Sequence, residues 1–93
     1  MPDQDLNAEL AMLRAEVDRH NATIASVLKE RAAVVLQIAA VKRALRRPAL
    51  DEEREEETLT ILRNSKPEPL TTDDLVVIFR AILDVSRRLQ ERV

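Results

Sequence analysis

Glycine, cysteine, tryptophan and tyrosine do not occur in this 93-residue chain, and Phe79 is its single aromatic residue. Without glycine there are no easy tight turns, hairpins or phosphate-cradling loops, so the chain reads as all-α. Without cysteine there are no disulfides, thiolate metal sites or cysteine nucleophiles, which fits a reducing compartment. A lone aromatic side chain leaves almost nothing for bases to stack on, and a net charge of −2 gives no basic footprint for nucleic acid. Long apolar runs are also missing: the longest, Ala32 to Val41, contains Gln37 and is far too short to span a bilayer. The acidic start MPDQDLNAEL has no apolar h-region of a signal peptide. The expectation is a soluble, cytoplasmic protein with no nucleic-acid or membrane partner.

What is present is aliphatic. Hydrophobic residues make up 45% of the chain, mostly Leu, Val, Ala and Ile. The chain is expected to form one domain, residues 1–93, of a size that buries a modest core and often oligomerises. Asp5 or Asn7 can cap a first helix, and neither Pro nor Gly interrupts the chain from there to Arg47. Leu10, Leu13, Val17 and His20 lead into a stripe of Ile24, Val27, Arg31, Val34, Ile38, Val41 and Leu45. A helix of roughly 40 residues is on the order of 60 Å long and needs a partner helix along most of its apolar seam. Dimerisation is the simplest answer, with His20 as an interface residue.

Pro48 ends this helix, and Asp51 caps a second whose positive end carries Glu52, Glu53, Glu55, Glu56 and Glu57. It continues through Leu59 and Leu62 to about Asn64, before a loop with Pro67 and Pro69. Thr71 or Thr72 caps a third helix, with apolar Leu75, Ile78, Phe79, Ile82, Leu83, Val85, Leu89 and Val93. The expected fold is three helices, one long and two shorter.

Four polar residues stand where apolar ones belong. Arg31 is on the first helix's stripe and Lys42 at its edge, about three turns or 16 Å further on. Ser86 and Gln90 are neighbours on the third helix's stripe. Each has an ordinary explanation: Arg31 pairs with a glutamate, Lys42 snorkels, Ser86 bonds back to its own helix, Gln90 sits at a frayed end. Jointly they describe a polar pocket between helices, cationic on one side, that suits a small ligand with carboxylates. Arg14, about 25 Å before Arg31 along the axis, cannot reach its own chain's Lys42, but in a crossed dimer it reaches the partner's pocket. Periodicity alone favours the other reading, a solvated surface arginine flanked by Glu16 and Asp18. Neither the lone His20 nor the acidic run from Asp51 has metal-ligand spacing, so no metal is expected.

The ordered set of Leu13-Arg14 with Asp18, Glu30-Arg31, Lys42, Arg47-Pro48, Asp51-Glu52-Glu53-Arg54-Glu55, Ser86 and Gln90 resembles the AroQ-class, all-helical chorismate mutases from Leu13 to Gln90. The resemblance implies an intertwined helical homodimer. Each site would take Arg31, Lys42, Asp51, Arg54, Glu55, Ser86 and Gln90 from one chain and Arg14 from the other. The implied reaction is the Claisen rearrangement of chorismate to prephenate, on the route to phenylalanine and tyrosine, with no cofactor. It also implies the roles: Arg14 and Arg31 clamp the carboxylates, and Lys42 and Gln90 hold the ether oxygen. Glu55 and the Asp51 backbone hold the ring hydroxyl, Ser86 assists at the ring carboxylate, and Arg54 orders this cluster. Ile38 and Leu83 are apolar walls.

Two relatives share the scaffold. Isochorismate pyruvate-lyases lack the acidic pair that stands here as Asp51 and Glu55, and aminodeoxychorismate mutases depart in the same region. Neutral Gln90, where some members carry Glu, implies activity that does not depend on acid pH. A non-enzymatic helical dimerisation module is the alternative of another class, but a coiled-coil adaptor has no reason to place Arg31, Ser86 and Gln90 in its seams.

Overall fold

The computed structural model describes residues 2–93 and contains three helices, α1 (Pro2–Ala44), α2 (Glu52–Arg63) and α3 (Thr72–Glu91), with no strand among the described residues. The chain falls into two compact units, one ending at Arg31 and one running from Ala32 to Val93. The first is helical throughout its described length, with Arg31 half-buried and its other described side chains exposed.

The start of α1 corrects the expected cap at Asp5 or Asn7. Helix begins at Pro2, where a missing N–H costs nothing, and Asp3 and Asp5 fall inside the first turn, next to the helix's positive end. The stop is also more local than a proline two residues on. Arg46 adopts φ 57°, its N–H bonds the Arg43 carbonyl at 3.0 Å, and the Arg47 N–H reaches back to the Lys42 carbonyl at 2.8 Å. This is a Schellman ending, in which the left-handed residue is normally glycine. A glycine-free chain puts arginine there instead. Leu45, expected on the helical stripe, lies beyond the last helical residue.

Both other starts are capped as expected. Asp51 Oδ1 accepts from the Arg54 N–H at 3.0 Å, and Asn64 is the C-cap of α2. Of the two threonines, Thr71 caps α3: its Oγ1 accepts from the Asp74 N–H at 3.0 Å, while Asp74 Oδ2 accepts from the Thr71 N–H at 3.1 Å. These reciprocal bonds form a capping box and hold the Asp74 carboxyl below its ordinary value, the backbone bond from Thr71 being the larger cause and the hydroxyl the lesser. Helix α3 ends at Glu91, so Val93 is not on its stripe.

In the second unit α2 and α3 pack on each other. The buried hydrophobic side chains among the described residues are Val35 and Ala39 of α1, Leu59 of α2 and Leu83 of α3. Val35, Ala39 and half-buried Lys42 lie one residue further along α1 than Val34, Ile38 and Val41, a step of about 100° around the helix. The longer stripe therefore faces outward: Val34, Ile38 and Val41 are 53%, 44% and 59% exposed. Inside the single chain, α1 buries a narrow face of Val35 and Ala39, and its richer apolar face is uncovered.

Candidate active site

Lys42 is in the last turn of α1, where a cation is favoured by the helix's negative end. Its Nζ donates to the Ala49 carbonyl at 2.9 Å and to Gln90 Oε1 at 3.1 Å. The first bond ties it to the segment entering α2, and the second to the last turn of α3. Two of the three ammonium protons are thus fixed by groups from separate parts of the fold. The Gln90 amide is oriented in turn, its Nε2 donating to the Ser86 carbonyl at 3.4 Å. Ser86 is buried, and its Oγ donates to the Ile82 carbonyl at 2.8 Å. The back-bonding reading of Ser86 therefore holds. Lys42 does not snorkel and Gln90 is no frayed end: the two hold each other.

A small pocket of about 60 Å³ lies here, lined by Lys42 and Gln90 with Ala39, Arg43, Arg47 and Ala49. The charged residues of its lining, Lys42, Arg43 and Arg47, are all cations. On its other side Lys42 borders a larger, mostly apolar groove of about 430 Å³ with Val34, Ile38 and Val41. Ile38, expected as an apolar wall, lines the same groove as the lysine.

Glu55 stands elsewhere, in a cleft of about 450 Å³ between α2 and α3. Leu83, the other expected wall, lines this cleft with Leu59, Arg80, Asp84 and Arg87. Glu55 Oε2 lies 3.7 Å from Arg87 Nη1, both side chains being about two-thirds buried. Arg87 Nη2 is 2.7 Å from Asp84 Oδ1, and Arg88 Nη2 is 2.6 Å from Asp84 Oδ2. Arg54, expected to order the acidic cluster, pairs with Glu57 at 3.3 Å, with both side chains more than half exposed. The Asp51 carboxylate serves as a cap.

Of the expected residues, then, Lys42, Ser86 and Gln90 come together, Glu55 and Leu83 share the neighbouring cleft, and Arg14 and Arg31 belong to the first unit, Arg14 exposed. Arg87 was missed. The signal was present: it lies four residues after Leu83 on the helical face that α3 turns to α2, an odd place for a charge without a partner. Among the described residues no three His, Cys, Asp or Glu side chains are grouped to hold a metal, and no helix is long and apolar enough to cross a membrane.

A half-buried lysine–glutamine pair, tied to the segment entering α2, is a narrow feature whose context comes from known proteins. The family model for chorismate mutase type II matches residues 13–91. The chain belongs to the chorismate mutase type II family. It is similar in structure to the chorismate mutase (form II) of Thermus thermophilus, with 36% identity and a TM-score of 0.87 over 90% of this chain and 96% of that one. No curated protein matches it. As a chorismate mutase the chain is an isomerase, and its three-helix fold is that of the family. The matched span contains every expected site residue, from Arg14 to Gln90.

Proposed function

We propose that the chain rearranges chorismate to prephenate in two sites shared between two copies, and that Lys42 and Gln90 are the groups that act on the breaking bond. The supporting observation is the fixed Lys42 ammonium, held between the Ala49 carbonyl and Gln90 Oε1 at 2.9 and 3.1 Å. The rearrangement is unimolecular and pericyclic, so it needs no metal, covalent nucleophile or general base. Its barrier falls when the dianion is held compact and when charge building on the ether oxygen meets fixed donors. The third Lys42 proton is one such donor. The Gln90 amide N–H, engaged at the long distance of 3.4 Å, is the other and turns readily to a better acceptor.

In this reading Arg14 of one copy and Arg31 of the other clamp the carboxylates, Glu55 and the Asp51 backbone take the ring hydroxyl, and Ser86 supports the ring carboxylate. Ile38 and Leu83 form apolar walls. Residues 1–93 act as one domain, in the cytoplasm, on the route to phenylalanine and tyrosine. The uncovered apolar residues of the stripe from Ile24 to Val41, with exposures between 44% and 59%, support a second copy as its cover. Arg54 orders the acidic run at the start of α2, where its ion pair is with Glu57.

The decisive experiment incubates the pure protein with chorismate and follows prephenate; a folded protein without turnover overturns the reading. The shared site has a separate test. Lys42→Ala is expected to lose about 10²–10³ in kcat, the usual cost of one donor at a developing oxyanion, and Arg14→Ala to lose activity through the missing carboxylate clamp. Refolded together they should regain activity, because a heterodimer puts both lesions in one site and leaves the other intact. A verified heterodimer that stays inactive would show that Arg14 does not cross between chains.

A further inference from the structure

We infer that Arg87 is the positioning residue that holds Glu55 for the substrate's ring hydroxyl, an inference that rests on the chorismate reading above. A carboxylate that is to accept a hydroxyl hydrogen bond must be ionised and must keep one orientation. Glu55 is in the first turn of α2, on the side turned to α3, and lines the cleft with Leu83. Two arginines compete to orient it. Arg54 is on the same helix but points at Glu57, where solvent screens the pair and little orientation is gained. Arg87 comes from α3, across the cleft, and its Nη1 is 3.7 Å from Glu55 Oε2.

The Arg87 guanidinium is itself fixed. Its Nη2 meets Asp84 Oδ1 at 2.7 Å, and the other Asp84 oxygen is taken by Arg88 Nη2 at 2.6 Å. A chain of four charges, Arg88–Asp84–Arg87–Glu55, thus runs from the surface of α3 to α2. Asp84, anchored by two arginines, sets the plane of the Arg87 fork, and the other end of that fork faces Glu55. At 3.7 Å the contact is an ion pair rather than a hydrogen bond, so it fixes one Glu55 oxygen by charge and leaves the carboxylate's lone pairs for a ligand. The remaining charges of the cleft are Glu52 and Glu56 of α2 and Arg80 of α3. Among these cleft residues, Arg87 is the cation within ion-pair distance of Glu55.

The test is a double-mutant cycle on the full chain, with chorismate as substrate and kcat/KM as the readout. Arg87→Ala is expected to lower kcat/KM about tenfold or more. In a Glu55→Gln background the same substitution is expected to change it less than twofold, since there is no carboxylate left to position. Arg87→Lys should restore most of the loss, and Arg87→Met, which keeps the apolar stem and removes the charge, should lower kcat/KM about tenfold or more while staying folded. Equal losses in both backgrounds, or an unchanged kcat/KM in a folded Arg87→Met, would overturn the inference. Parent protein that fails to turn over chorismate would instead overturn the reading on which it rests.

Discussion

At the scale of the residue, the proposed site turns on an amide. Gln90 accepts from Lys42 through Oε1 and offers its N–H on the other side, and it does both as a neutral group at any physiological pH. Gln90→Glu separates these functions. The new carboxylate would still accept from Lys42, but as an anion it has nothing to donate and repels a dianionic substrate. Activity at neutral pH is expected to fall at least about tenfold, and to recover relative to the parent as pH drops and the carboxyl protonates; parallel pH–rate profiles of the two proteins measure this. Sequence alone singled out Lys42, Ser86 and Gln90, because polar groups on an apolar stripe violate the helical pattern. It passed over Arg87, whose neighbours Asp84 and Arg88 make it look like one more charge on a solvated face.

At the scale of the element, the ends carry most of the information. Arg46 holds φ 57° to close α1, a conformation that costs an L-residue about 1–2 kcal/mol and costs glycine almost nothing. Arg46→Gly is therefore expected to raise the unfolding free energy by up to about 1 kcal/mol in a denaturant titration. The α3 cap has a pH signature. Asp74 is bonded by Thr71 and titrates below its ordinary 3.8 in the folded chain. Its contribution is therefore fully present above that value and is lost as pH falls through the lower, folded one. The stability difference between the parent and Asp74→Ala should hold from neutral pH to about pH 5 and shrink below about pH 4 in parallel melts. In the packed middle, Leu59 is 2% exposed, and Leu59→Ala is expected to cost about 2–5 kcal/mol in the same titration.

At the scale of the whole molecule, the apolar surface is larger than one chain can cover. Val27 and Val34 are 55% and 53% exposed on a helix that buries only Val35 and Ala39. A carboxylate in a helix–helix seam is not compatible with a dry interface. If the proposed dimer forms through this stripe, Val27→Glu and Val34→Glu are each expected to shift sedimentation toward the monomer, with loss of mutase activity in step if Arg14 crosses between chains. Variants that sediment as the parent does would remove the stripe from the interface.

The sequence by itself determined that the chain is helical, where its three helices lie to within a few residues, and the ordered set of polar residues that matches a family. Those follow from local causes: caps, prolines, the absence of glycine, and a hydrophobic period read within one helix. Only the tertiary structure decided which side of α1 is buried within its own chain, since two apolar stripes about 100° apart satisfy the same periodicity. It alone chose between Arg54 and Arg87 as the partner of Glu55, because that choice is a distance across a cleft. Spacing along a chain records which residues share a face; it does not record which faces meet.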